Sequence, residues 1–260
     1  MQVRFIKALW GMDMPSVTAL DKIKSAGFDG FEASFFEFDN KDFVSKAHDL
    51  GLTSVCQVYV TSHEEVKSQF ARGADAKADR INAHVGKDWW EFSRSVDFLR
   101  LAISEAAELG IPFCVETHRG RVPFTPNTAL ALCQAVPELR LTADYSHFTC
   151  VCESDLSDQA STLAALSQKV DYIHARVGHG EGPQVDDPRL EKNKGHCDLF
   201  LGFWNEILAT GSTAGLKEML VCPEFGPPPY MPTNERDEPV ADLWEICNWT
   251  KDWLAREWRA

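Results

Sequence analysis

Glu116, Asp144, His174 and Glu224 are the residues of this chain best suited to chemistry. Each closes a short apolar run, and successive members stand 28, 30 and 50 residues apart. Three carboxylates and an imidazole suit a single divalent cation, or proton transfer by general acid and base. They can converge only if the strands that carry them end at one rim. The first two intervals fit one strand, one helix and their loops, and the third fits that unit with about twenty inserted residues.

The elements that must position these residues follow from hydrophobic period. Val3–Leu9, Phe28–Ala33, Leu52–Val58, Arg80–Val85, Ile111–Glu116, Arg140–Asp144, Val170–Ala175 and Met219–Glu224 read as eight strands. Helical patterns lie between them: Ser16–Ala26 capped by Ser16, Asp39–Leu50, Ser62–Lys77, Glu91–Leu109, Asn127–Val136, Leu156–Lys169, Asp198–Thr210 and Asp237–Arg259. Strands that each precede a helix, with no composition break and no Gly-rich phosphate loop after the first, predict one closed (β/α)8 barrel over residues 1–260. Two connections depart from the pattern. Val177–Gly195 is long enough for a lid or a disordered insertion, and Gly226–Thr233 holds three consecutive prolines.

Strand alternation sets the direction of each candidate. Residues two apart share a face, so Cys114, Thr142, Tyr172 and Cys222 accompany the four inward, while Val115, Ala143, Ile173 and Pro223 point outward. Four inward groups of this kind at one rim are costly unless paired or bound to a cation. Isolated rim residues satisfied by water are the bland alternative. Trp10, Phe35, Phe36, Trp89 and Trp90 follow early strands and either wall a substrate or pack a lid, whereas Trp244, Trp249, Trp253 and Trp258 cover the outer surface.

The formal charge of −13 and the absence of a basic run disfavour a nucleic-acid backbone as ligand, though not one small anion. Charged residues and Pro15 interrupt the first twenty residues, so neither a secretory leader nor a membrane span is expected there. Eight scattered cysteines without a C-x-x-C pair read as thiols, which points to the cytoplasm.

Glu116-Thr117-His118-Arg119-Gly120, Asp144-Tyr145-Ser146-His147, Ile173-His174-Ala175-Arg176 and Pro223-Glu224-Phe225 resemble motifs of the xylose-isomerase-like TIM-barrel superfamily. That group includes sugar-phosphate isomerases, ketose 3-epimerases, hydroxypyruvate isomerase, inosose dehydratase and endonuclease IV. The resemblance implies that Glu116, Asp144, His174 and Glu224 bind one divalent ion. Oxygen donors favour Mn²⁺ or Mg²⁺, with Zn²⁺ or Co²⁺ left open by the imidazole. It also implies that Glu116 and Glu224 move protons on opposite faces of the substrate, and that His147 is an outer contact or a substrate contact in an enzyme with one metal ion and a metal ligand in the endonuclease.

His118 and Arg119 are candidate substrate contacts, although Thr117 replaces the asparagine of the epimerases' Glu-Asn-His triplet. Arg176 either holds a substrate oxygen or pairs with a lid acid, Glu181 or Asp186. His84 is a candidate substrate contact at the end of the fourth strand. For Glu32 at the end of the second, a structural ion pair is favoured over a substrate hydroxyl.

The expected function is metal-dependent isomerisation or epimerisation of a small sugar or hydroxy-carbonyl metabolite through an enediolate. Alternatives on the same scaffold are a lyase or dehydratase, an endonuclease-like phosphodiesterase with three zinc ions that also draws on His63 or His179, and a non-catalytic sugar-binding barrel. No nucleic-acid or membrane partner is expected. A homo-oligomer is left open, since dimers and tetramers are common among similar barrels.

Overall fold

A computed structural model of the chain describes residues 1–258. Its strands are β1 (Gln2–Ala8), β2 (Gly30–Ser34), β3 (Thr53–Val60), β4 (Arg80–Val85), β5 (Phe113–Glu116), β6 (Leu141–Ala143), β7 (Val170–His174) and β8 (Glu218–Cys222). Each pairs in parallel with its sequence neighbour, and β1 also pairs with β8, which closes the barrel. Parallel closure puts every strand's C-terminal end at the same mouth. The eight expected strands are all present, with ends shifted by up to two residues.

Alternation divides the apolar residues into two layers. Ile6, Ala8, Val55, Tyr172, Leu220 and Cys222 form a small cluster inside the barrel. Val115, Ala143, Ile173 and Val221 belong to the larger cluster against the helices. The helices are α1 (Ser16–Ser25), α2 (Lys41–Asp49), α3 (His63–Asp75), α4 (Phe92–Glu108), α5 (Pro126–Ala135), α6 (Tyr145–Cys152), α7 (Ala160–Ser167), α8 (Lys194–Thr213) and α9 (Leu243–Glu257). Fully buried side chains such as Leu20, Phe43, Phe70 and Leu99 bind this outer layer, each worth roughly 1.5–3 kcal/mol of transfer free energy. Trp253 packs on Trp204, and Trp258 stacks on Phe5, so these two C-terminal tryptophans lie against the outside of the barrel.

Several helix ends differ from the pattern in the sequence. Ser16 does not cap α1, because it is already helical and Pro15 holds the cap position without a side-chain bond. Ser62 does cap α3, through a reciprocal box with Glu65. The segment before α2 forms a separate 3₁₀ turn, Phe35–Asp39, and Asn40 caps the helix. Helix α8 starts earlier and ends later than expected. Packing of Cys197, Phe200 and Trp204 carries it through Gly195 and Gly202. Asp242 caps α9 well after the expected start, and Arg259 lies outside the described residues. Helix α6 was not expected. It begins immediately after Asp144, whose carboxylate accepts the Ser146 N–H as an N-cap.

The connection 177–195 is an ordered arch, not a disordered insertion. Val177, Gln184, Val185 and Asp187 are buried in it. Gln184 joins it to the connection after β8, donating to the Gly226 carbonyl at 3.2 Å and accepting its N–H at 2.6 Å. A Cβ at Gly226 would overlap the Trp10 indole, so glycine is what lets Trp10 lie flat over this clasp. All eight cysteines are free thiols, and six are buried.

Candidate active and metal site

A cleft of about 500 Å³ opens at the C-terminal mouth of the barrel. Its floor carries Glu32 from β2, His84 from β4, Glu116 from β5, and Arg176 and Glu224 just beyond β7 and β8. Trp10, Tyr59 and Tyr230 form much of its wall. Backbone strain is not needed to aim these groups. Strand alternation and a shared rim suffice.

His174 is the centre of the polar network and is fully buried. Its Nε2 lies 3.2 Å from Glu32 Oε2, and its Nδ1 lies 2.9 Å from Glu224 Oε2 and 3.6 Å from Glu116 Oε2. The Asn82 amide donates to Glu32 at 3.1 Å and to Glu116 at 2.9 Å, tying β2, β4 and β5 together. His84 Nε2 stands 3.0 Å from Glu116. Arg176, also buried, pairs with Asp144 and, at 3.3 Å, with Glu224. Thr117 braces the same corner: Asp144 N–H donates to its hydroxyl at 2.9 Å, and that hydroxyl donates to the Asp144 carbonyl at 3.0 Å.

Electrostatics follow from this crowding. Burial would raise the Glu116 carboxyl, but His84 and His174 beside it hold it well below the ordinary value. Burial acts on Glu224 in the same way, and Arg176 and His174 outweigh it, down to about 2. Burial raises Glu32 against the pull of His174. It would lower His174, but Glu224, Glu32 and Glu116 raise that imidazole well above its usual range. His118 is pushed down to about 3 by burial and by His84. His147 falls well below its ordinary value through burial, His118 and Arg176.

The donor set fits a divalent cation. Glu32, Glu116, Asp144 and Glu224 are four buried carboxyl groups with one buried guanidinium, that of Arg176, among them. His174 Nδ1 and Glu224 Oε2 face each other at 2.9 Å, yet neither atom has a hydrogen-bond partner of acceptable geometry. A divalent cation held between them would take the place of the proton that the raised imidazole otherwise carries and satisfy both atoms. Donor atoms of Glu32, His174 and Glu224 lie within 4.8 Å of one another, as do those of Glu116, Asp144 and His147, and of His84, Glu116 and His118. The four residues singled out by spacing are therefore all near one mouth, but divided between two groups with no shared member, His174 and Glu224 in one and Glu116 and Asp144 in the other.

His84, His118 and His147 form a row of rings, with centroids 4.4 and 3.9 Å apart, beside Glu116. Arg119 sits over the Tyr230 ring at 5.1 Å. Arg176 does not reach a lid acid, because Asp144 and Glu224 take it, while Asp186 pairs with Lys192. Trp89 and Phe36 stand exposed outside the cleft lining, and Trp90 is buried against Phe98. His63 pairs with Glu105 and His179 packs near His196, so neither joins the cleft.

Sequence reasoning missed Tyr59 and Arg121 as cleft residues and Asn82 as the buried bridge beneath them, and set Glu32 aside as a structural pair. For Asn82 a signal existed, since it shares the inward phase of His84 on β4.

A parallel eight-stranded barrel with carboxylates and imidazoles gathered at its C-terminal mouth defines a class of barrel proteins that work at that face. The profile of the xylose isomerase-like TIM barrel family matches residues 20–199, and the chain belongs to that family. No curated protein matches the sequence. Among solved structures, a probable 3-DHS dehydratase from Bacillus anthracis is 13% identical, with 97% of this chain and 98% of that one covered and a TM-score of 0.65. A D-psicose 3-epimerase is 12% identical over 96% and 97% of the two chains, with a TM-score of 0.62. A family 2 AP endonuclease from Brucella melitensis is 13% identical over 97% and 98%, also at 0.62. Likenesses at this level of identity show the fold alone.

Proposed function

We propose that the protein is a divalent-metal-dependent isomerase or epimerase of a small sugar or hydroxy-carbonyl compound, acting by proton transfer at the carbon beside a carbonyl. The observation that carries this reading is the pair Glu116 and Glu224. Both are buried carboxylates on the cleft, both adjoin His174, and cationic neighbours hold both ionised.

Glu116, Asp144, His174 and Glu224 would hold the ion, and their oxygen majority suits Mn²⁺ or Mg²⁺. When bound, such an ion polarises a carbonyl and makes the neighbouring C–H bond easier to ionise. One carboxylate, Glu116 or Glu224, takes that proton, and the C–H electron pair moves into the carbonyl to give an enediolate. Return of the proton to the adjacent carbon, with the proton of the neighbouring hydroxyl passing to the former carbonyl oxygen, isomerises the compound. Delivery by the other carboxylate from the opposite face inverts the centre.

His118 and His147, kept neutral by burial, can donate or accept hydrogen bonds to substrate hydroxyls. Trp10 and Tyr230 narrow the mouth and limit water around the carbanionic intermediate.

The test is incubation of the protein with Mn²⁺ in D₂O and a broad panel of ketoses, aldoses and hydroxy-carbonyl acids. Deuterium appearing beside the carbonyl of one compound is the expected result. No incorporation across the panel sinks the reading. A product lighter by one water would assign the lyase outcome on the same scaffold.

A further inference from the structure

Arg119 and Arg121 follow the Glu116 strand without an acidic partner; Arg121 lines the cleft, and Arg119 adjoins it through Tyr230 of the wall. Among the described residues, no carboxylate lies within 4.0 Å of either guanidinium, while other lysines and arginines form thirteen such pairs across the molecule. Scarcity is not the reason, because the chain carries 39 acidic residues against 26 basic ones. Arg121 lines the cleft, partly buried, and its side-chain hydrogen bond is a long one, 3.4 Å to the Gly86 carbonyl. Arg119 rests on the Tyr230 ring, and deeper in the same cleft Nη1 of the buried Arg176 has no hydrogen-bond partner.

A partly desolvated guanidinium is costly unless an anion or several oxygen acceptors meet it. Glu116 has His84 and His174 as its nearest basic neighbours, at 3.0 and 3.6 Å, and lies beyond ion-pair distance of Arg121. Glu32, Glu37, Glu116 and Glu224 line the same cleft as Arg121 and Arg176, so an anion enters beside local carboxylates whose charge a divalent cation held by Glu116 and Glu224 would offset. Acidic residues farther than about 8 Å are screened at physiological salt.

We propose that the substrate is an anion: a hydroxy-carbonyl compound bearing a carboxylate or phosphate. Arg121 seats the charged oxygens, with Arg119 at the rim, while the carbonyl end lies between Glu116 and Glu224. This assignment rests on the proton-transfer reading of the same cleft. It narrows the substrate class from sugars in general to acidic or phosphorylated ones. The guanidinium fork matches both oxyanions, so the two sources must be separated by measurement.

The experiment is calorimetric titration of the Mg²⁺-loaded protein with three probes that share a three-carbon backbone: glycerol, D-glycerate and glycerol 3-phosphate. At least one anion is expected to bind ten-fold or more tighter than glycerol, and the preferred one identifies carboxylate or phosphate. Arg121→Gln should weaken that anion by about 10- to 100-fold, as expected for a lost charge-assisted bond, and leave glycerol unchanged. Arg121→Lys should retain an intermediate affinity, and it carries the test if the glutamine variant does not fold. Equal binding of all three probes, or an anion preference untouched in both variants, overturns the proposal.

The binding readout is independent of turnover. Anion binding through Arg121 without deuterium exchange in any compound would keep the anion site and sink the proton-transfer reading. Exchange confined to neutral ketoses would do the reverse.

Discussion

The Glu32 carboxylate lies 3.2 Å from Nε2 of His174, the ring whose Nδ1 faces Glu224 and Glu116. A carboxylate behind an imidazole fixes the ring's orientation and tautomer and raises its basicity toward a cation on the other nitrogen. Glu32→Gln should therefore weaken Mn²⁺ binding by about 10- to 100-fold with the fold intact. Titration followed by electron paramagnetic resonance measures this, and an unchanged affinity would show that the ring is held by other contacts.

Glu116→Gln and Glu224→Gln keep side-chain volume and remove a base. At saturating Mn²⁺ each should lower deuterium exchange into substrate by about 10²- to 10⁴-fold. Exchange near the wild-type rate in both variants would remove the two carboxylates from the proposed mechanism.

Arg176 holds Asp144 and Glu224 together in the buried corner of the site. Arg176→Met leaves both carboxylates without that cation and should cost about 3–5 kcal/mol in urea unfolding of the metal-free protein. Adding Asp144→Asn in the same chain should recover part of the loss, a coupling read from the double-mutant cycle. Strict additivity would mean that the pair contributes little.

Acid sensitivity should begin at the histidines. His118 has a folded value near 3 against 6.5 ordinarily, and His147 is lowered in the same direction. Such groups bind protons in the unfolded chain first, so their contribution is present above pH 6.5 and is lost as pH falls toward 3. Glu224, lowered from 4.5 to about 2, adds a further loss below pH 4.5. The raised His174 works oppositely, contributing below pH 6.5 and losing that contribution as pH rises through its folded value. Unfolding free energy measured against pH should peak near neutrality. His118→Asn should flatten the limb between pH 6.5 and 4.5, and an unaltered limb would assign it to other groups.

Gly226→Ala forces a methyl group into the Trp10 indole. The expected result is a displaced Trp10, weaker substrate binding and a loss of about 1–3 kcal/mol from overpacking. Native stability together with native affinity would show that the wall yields freely.

Much of the fold was legible because its signals are local. Period-two alternation placed Val115, Ala143 and Ile173 outside, and Tyr172 and Cys222 inside. The same phase put Glu116, Asp144, His174 and Glu224 at one mouth. Helix ends were less legible, since Gly195 read as the end of the preceding connection until the packing of Cys197, Phe200 and Trp204 drew it into α8.

What the sequence by itself determined is thus which strand ends carry donors and which way those side chains point, since both depend on neighbours a few residues away. Only the tertiary structure decided which donors meet. Glu32 reaches His174 across 142 residues of chain, Asn82 bridges Glu32 and Glu116, and Arg176 turns to Asp144 instead of the arch acids. These partners depend on how far each strand is staggered when β1 closes on β8, and no local pattern encodes that distance.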